Sequence, residues 1–106
     1  MNTIGQGTTP YLQVAIEGCD LSEAEVIVVT IEQDRTQMLN LTGERITVVS
    51  DEEGSVVTAH LTQEETLGLR KGFAELQIRW KDQYGESFET DIIQVNIQRA
   101  LYKGVI

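Results

Sequence analysis

The sequence predicts an all-β fold: an immunoglobulin-like β-sandwich of about seven strands with one short helix near residues 62–68. Three observations indicate this. Residues 73–98 alternate apolar and polar side chains, residues 26–31 are almost continuously β-branched, and turn-forming residues separate the segments at short intervals. A length of 106 residues suits a single domain, 1–106. A small, partly open barrel is the alternative arrangement.

The strongest local pattern is a β-hairpin in residues 73–98, FAELQIRWKDQYGESFETDIIQVNIQ, with its turn at 82–86. Opposed charges and an aromatic pair favour one register. That register pairs Trp80 with Phe88, Ile78 with Thr90 and Leu76 with Ile92 on one side, and Arg79 with Glu89 and Gln77 with Asp91 on the other. Ile92 and Ile93 are adjacent, so the apolar phase changes there. The change predicts a β-bulge, or a strand long enough to serve two faces.

The remaining strands follow from the same patterns. Residues 1–9 are predicted to be a flexible leader before Pro10, and residues 12–17 alternate as a first strand that Gly18 ends. The β-branched run 26–31 predicts a central strand covered on both faces. Shorter strands are predicted at 37–41, 45–49 and 55–61, the last two joined by a loop in which Gly54 supplies a positive φ. Residues 99–106 form a C-terminal tail.

One helix is indicated by a capping box. Thr62 is followed three residues later by Glu65, and Leu67 and Leu69 give the segment an apolar side. Two glycines shortly afterwards limit it to about two turns, too short to be stable without packing on the sheets. We therefore expect this helix to close one end of the sandwich.

The charge of the chain argues against two classes of partner. Its net charge is −9, and residues 1–53 hold ten acidic and two basic side chains. Nucleic acid and anionic membranes carry the same sign, so neither is an expected partner. The segment MNTIGQGTTP has no positive start and no apolar core, so it does not resemble a signal peptide, and no apolar run approaches the ~20 residues of a membrane span. The sequence predicts a cytoplasmic location at synthesis.

The residue types needed for catalysis or metal binding are scarce. His60 is the single histidine, and its strand phase predicts a solvated side chain, not a general base. Cys19 is the single cysteine, so it forms no intrachain disulfide and no zinc constellation. The acidic segments 20–25 and 51–53 are expected to be solvated, with calcium binding as the alternative. They lack the alternating oxygen ligands of a calcium loop. We predict no enzyme activity, no catalytic, cofactor or metal residues, and no cofactor.

The aromatic residues and the C-terminal segment bear on binding. Trp80 continues an apolar strand face and is predicted to lie in the core, whereas Tyr11, Tyr84 and Tyr102 are too dispersed to form one stacking platform. The tail, RALYKGVI, ends in apolar residues. A small acidic domain with such a terminus can form a homo-oligomer by strand addition or tail exchange; a frayed tail is the alternative.

Four segments carry a resemblance to a protein family: QGTTP at 6–10, DLSEA at 20–24, LTQEET at 61–66 and QIRW at 77–80. In this order the chain resembles small tail-region proteins of phages and prophages of Gram-positive gut bacteria. Its first part is similar to the N-terminal β-sandwich of baseplate upper proteins. The resemblance implies a non-enzymatic virion protein, a tail or baseplate accessory subunit that associates with itself or with other phage structural proteins. A small binding module for a host-surface carbohydrate or protein is the alternative function.

Overall fold

The structure, a computed structural model, describes residues 2–106. This range forms one α-helix, one 3-10 turn at Gly43–Arg45 and nine strands. The strands are β1 (Asn2–Gly5), β2 (Tyr11–Glu17), β3 (Val26–Gln33), β4 (Thr36–Leu41), β5 (Ile46–Asp51), β6 (Gly54–His60), β7 (Gly72–Lys81), β8 (Ser87–Glu89) and β9 (Ile93–Gln98). The helix, α1, is Gln63–Leu67.

The strands form a β-sandwich, which confirms the predicted fold class. The large sheet has the order β1-β9-β7-β3-β4, with β8 also paired to β7, and the small sheet has the order β2-β6-β5. Buried side chains of β3, β7 and β9 belong to one core cluster with those of β2 and β6, and β4 extends the large sheet at its edge. This is the strand order of an immunoglobulin-like sandwich.

The core lies between the sheets and is built from the inward side chains of both. Ile31, Ile78 and Leu61 are each 0% exposed, and Trp80 is 8% exposed. The prediction that Trp80 lies in the core is therefore confirmed. Three polar side chains are also buried: Gln33, Ser55 and Thr66. No buried side-chain nitrogen or oxygen within residues 2–106 lacks a hydrogen-bond partner, so these polar groups add no unpaired charge or dipole to the core.

The predicted hairpin register is confirmed near the turn and shifts by one residue beyond it. Trp80 pairs with Phe88 and Arg79 with Glu89. Further along, Leu76 pairs with Ile93, so the predicted pairing of Leu76 with Ile92 is wrong. The cause is an extra residue at 90–92, where the second strand breaks into β8 and β9. The bulge predicted from the adjacent isoleucines therefore exists, and Ile92 is 60% exposed beside it.

Two other predictions need correction. Residues 2–5 of the predicted leader form β1, which pairs in parallel with β9 and buries Ile4; Met1 lies outside the described residues. The strand at 26–31 is central, between β7 and β4, but it is not covered on both faces. Val26 on its outer face is 45% exposed. Its β-branched composition reflects a preference for strand geometry and not double burial.

The helix and the two chain ends meet at one end of the sandwich. Thr62 and Glu65 form the predicted capping box, and Thr66 Oγ1 donates to the Thr8 carbonyl at 2.9 Å. The side-chain amide of Gln63 makes two hydrogen bonds to the backbone of Ile106 in the tail. Its Nε2 donates to the Ile106 carbonyl and its Oε1 accepts from the Ile106 N–H, both at 2.9 Å. The helix thus fastens the β1–β2 connection and the tail, even though it spans only five residues.

Candidate interaction surfaces

A groove lies on the outer face of the large sheet. It has a volume of about 640 Å³. Val28 and Thr30 of β3 and Gln77 and Arg79 of β7 line its middle, and Ile92 at the bulge is part of its wall. The outward positions of two neighbouring strands therefore form the floor of the groove, while the irregular β8–β9 junction raises one side.

The groove combines aliphatic and charged groups. Val28 lies opposite Arg79 and Val26 opposite Lys81 in the β3–β7 ladder, so the aliphatic side chains alternate with cations across the floor. Lys81 Nζ lies 3.4 Å from Glu25 Oε2. None of the three tyrosines belongs to the lining, although Tyr11, Tyr84 and Tyr102 are 68%, 82% and 68% exposed. This groove is not among the features predicted from the sequence. The polar positions of β7, Gln77 and Arg79, are the sequence signal that this face of the sheet meets solvent.

The outer face of the small sheet has a different character. Tyr11 and His60 are cross-strand partners at one end, and their rings stack with centroids 4.0 Å apart at an interplanar angle of 5°. Towards the other end, Ala15, Val56 and Val49 form one row across β2, β6 and β5. The charged strand residues on this face, Glu17 and Asp51, lie in the last row. The middle of the face is therefore uncharged, on a strongly acidic chain.

The structure places His60 at the end of β6 and Cys19 just after β2. His60 is exposed, as predicted, and its ring faces the phenol of Tyr11. Cys19 is half-buried, and its backbone carbonyl accepts a hydrogen bond from Ser55 Oγ at 2.8 Å. Neither side chain is hydrogen-bonded to an acid or base among the described residues.

The structure brings the two acidic segments to the same end of the small sheet. The backbone N–H of Gly18 donates to the Glu53 carbonyl at 2.8 Å. In each segment one carboxylate caps its own turn: Asp20 Oδ1 accepts from the Ser22 N–H at 2.9 Å, and Asp51 Oδ1 accepts from the Glu53 N–H at 2.8 Å. The Ser22 hydrogen bonds lower the pKa of Asp20. Residues 2–106 contain no group of three or more His, Cys, Asp or Glu side chains placed to hold a metal ion.

One ion pair joins α1 to the start of β5. Glu65 accepts from both guanidinium nitrogens of Arg45, with Nη1 3.2 Å from Oε2, and Arg45 Nη2 also donates to the His60 carbonyl at 2.7 Å. The guanidinium lowers the pKa of Glu65, and burial opposes it only in part. The same glutamate completes the capping box by accepting from the Thr62 N–H at 2.8 Å. The Glu65 carboxylate thus links the N-terminus of α1 to Arg45, the residue that precedes β5.

The tail carries exposed apolar groups but is not frayed along its whole length. Leu101, Tyr102 and Ile106 are 87%, 68% and 92% exposed. The Gln63 amide holds its end, and the Ala100 N–H donates to Gln6 Oε1 at 3.0 Å. Its apolar side chains therefore face solvent while its backbone is tied to the domain.

No protein-family model matches the chain, and no curated protein matches it. Among solved structures it is similar to AggA, the major subunit of the aggregative adherence fimbriae type I of Escherichia coli. That similarity has a TM-score of 0.39 and 9% identity, and it covers 93% of this chain and 89% of AggA. None of the helices in residues 2–106 combines the length and apolar character needed to cross a membrane.

Proposed function

We propose that this chain is a non-enzymatic structural subunit of a phage or prophage tail or baseplate, acting by self-association or by docking onto other virion proteins. The resemblance of its four sequence segments supports the phage origin. The groove on the large sheet is the observation that supports docking. On its floor, the aliphatic side chains of Val26 and Val28 lie beside the charged side chains of Lys81 and Arg79. Non-obligate protein interfaces likewise combine apolar and charged groups.

The groove favours a protein segment over a sugar as its occupant. Small-molecule sites rely on aromatic and hydrophobic linings with a few placed polar groups. Here the aromatic residue in the lining, Trp80, is 8% exposed and the exposed tyrosines lie elsewhere. An extended peptide instead needs aliphatic contacts and charge partners, which Val28 and Arg79 supply. The alternative function, a carbohydrate-binding module, has less support on this ground.

The test is incorporation into particles. Virions produced by the phage or lysogen that encodes the chain are purified, and the protein is quantified against the other tail proteins by mass spectrometry. We expect a fixed stoichiometry with the tail or baseplate. Its absence from purified particles, or a gene surrounded by metabolic genes and no tail genes, would refute the phage proposal.

A pair of variants locates the docking surface. Val28→Glu places a charge in the groove, whereas Phe73→Glu places the same charge on an exposed residue of the same sheet outside the lining. We expect Val28→Glu to be depleted from particles at least tenfold and Phe73→Glu to be retained, with both proteins folded by circular dichroism. Equal depletion of the two would show that the groove is not the docking site.

A further inference from the structure

The free edges of the two sheets are protected to different degrees. Unpaired strand edges invite pairing with another strand, and proteins protect them with short strands, bulges, prolines or charges. β1 and β8 are short, with four and three residues. β4 carries a bulge, because Ile31 faces Leu39 while Glu32 faces Gln37, which leaves one residue extra. β2 follows Pro10, and its side chains share a crevice of about 150 Å³ with β1 and β9.

β5 has fewer of these protections, because it is neither short nor bulged and its one charged residue, Asp51, is the last of the strand. All six residues pair with β6 in one unbroken register, and the strand holds no proline, lysine or arginine. Apart from the Ile46 N–H, which donates to the Gly43 carbonyl of the preceding 3-10 turn, its backbone makes no hydrogen bond to any segment other than β6 within residues 2–106. Residues 46–50 are uncharged, and Val49 is 73% exposed on the outer side. The edge is therefore flat, neutral and open.

We propose that the β5 edge pairs with the β5 edge of a second copy of this chain, in an antiparallel dimer that joins the two small sheets into one six-stranded sheet. This rests on the self-association part of the proposed function. A second copy is the partner that supplies a matching neutral edge in a two-fold arrangement. The neutral edges let two chains of net charge −9 meet without bringing their acidic surfaces together.

The pleat of the strand restricts the register. Ile46, Val48 and Ser50 point inward, while Thr47 and Val49 point outward. In an antiparallel pair, residues directly opposite each other have side chains on the same face of the sheet. If both cores are to lie on the same side of the joined sheet, one residue of β5 must lie on the two-fold axis, opposite the same residue of the second chain. With the axis at Val48, Thr47 faces Val49 of the second copy, and all of residues 46–50 are paired.

Charge selects that axis over its neighbour. With Val48 on the axis, Arg45 of each copy lies beside Asp51 of the other, at both ends of the paired strands. With Val49 on the axis, Asp51 faces Thr47 instead and Ile46 faces Glu52. Glu44, Glu52 and Glu53 keep both ends acidic, so the dimer should tighten as salt screens them. An interface built from one strand pair is small, so weak, reversible association is expected.

Sedimentation equilibrium from about 10 µM to 1 mM protein tests the dimer. We expect the average mass to rise from that of the monomer towards twice that value, and to rise further in 0.5 M NaCl than in 0.05 M NaCl. Thr47→Glu puts a carboxylate beside Asp51 of the other copy and should weaken association at least tenfold. Thr36→Glu adds the same charge to the β4 edge and should leave association unchanged. Equal weakening by both variants, or a wild type that stays monomeric throughout, would overturn the proposal.

Disulfide cross-linking tests the register. In a Cys19→Ser background, Thr47→Cys and Val49→Cys are oxidised separately and as a mixture. The proposed axis predicts a covalent dimer in the mixture and none in either protein alone, because 47 faces 49. Cross-linking of Val49→Cys by itself would overturn the axis. Incorporation into particles is measured independently of these experiments. A protein that is incorporated but does not dimerise would refute the edge pairing and leave the proposed function standing.

Discussion

Replacing Gly54 with alanine should destabilise the fold more than any other single glycine-to-alanine change at a turn of the small sheet. Gly54 begins β6 with a φ of +152°, a conformation that residues with a side chain rarely adopt. A Cβ built there lies 2.2 Å from the Ile16 carbonyl oxygen and 3.0 Å from the Glu17 Cα. Both contacts are with the backbone of β2, which cannot rotate away as a flexible side chain would.

The expected cost has two parts. The backbone conformation contributes about 1–3 kcal/mol. The clash requires β2 to move away by roughly 1 Å, an overpacking effect of about 1–3 kcal/mol. That movement also opens the pairing of Glu17 with Gly54 and the hydrogen bond from the Gly18 N–H to the Glu53 carbonyl. The total, about 2–6 kcal/mol, is a large fraction of the ~5–15 kcal/mol typical of a domain.

Gly18→Ala separates the two parts. Gly18 has a φ of +74°, but a Cβ there meets nothing within 4 Å, so it carries the conformational cost of about 1–2 kcal/mol without a clash. Urea denaturation, followed by the fluorescence of the single tryptophan, Trp80, gives both free energies of unfolding. We expect Gly54→Ala to lose about 1–3 kcal/mol more than Gly18→Ala, which is the cost of the clash. Equal losses in the two variants would refute the steric reasoning.

Three further predictions concern the ion pair, the core and the hairpin. Glu65→Gln keeps a capping side chain but removes the ion pair with Arg45, so it should cost about 0.5–1 kcal/mol at neutral pH in urea denaturation. The folded-state pKa of Glu65 is lowered, so this contribution to stability is present above the ordinary glutamate pKa of about 4.3 and is lost as the pH falls through the lowered pKa. The free energies of unfolding of wild type and variant should therefore converge at low pH. A difference that stays constant with pH would contradict the assignment. Ile78→Ala, at a position with 0% exposure, should cost about 3–4 kcal/mol by calorimetry, and a loss below about 1 kcal/mol would contradict its place in the core. Phe88→Ala removes a ring stacked 5.7 Å from Trp80, so it should cost about 1 kcal/mol and shift the tryptophan emission to the red; an unchanged spectrum would contradict the stacking.

Local patterns were sufficient to predict the elements whose partners are close in sequence. The Trp80–Phe88 register follows from a short turn and alternating side chains, and the capping box at Thr62 follows from two residues three positions apart. β1 could not be predicted in this way. Its four residues contain one buried apolar side chain, Ile4, and its partner β9 lies about ninety positions later, so no local alternation marks it.

The candidate surfaces could not be predicted from the sequence pattern, because the pattern does not say which face of a strand packs against the other sheet. Val28 and Val57 have the same strand-forming character, yet Val28 lines the groove while Val57 is 1% exposed. Which face of a strand meets the other sheet is decided by the packing of both sheets together. The open edge of β5 likewise becomes visible only when the neighbours of every strand are known.

The parallel pairing of β1 with β9 also determines how the domain responds to force. Asn2 lies beside Val95 and Gly5 beside Gln98, so the chain enters this pair at one end and leaves it at the other. Tension applied at Asn2 and Gln98 therefore pulls along both strands in opposite directions and strains all their hydrogen bonds at once. The β7–β8 hairpin, pulled from its open end, would separate one bond after another. The domain is thus expected to resist stretching that is applied through its first and last strands.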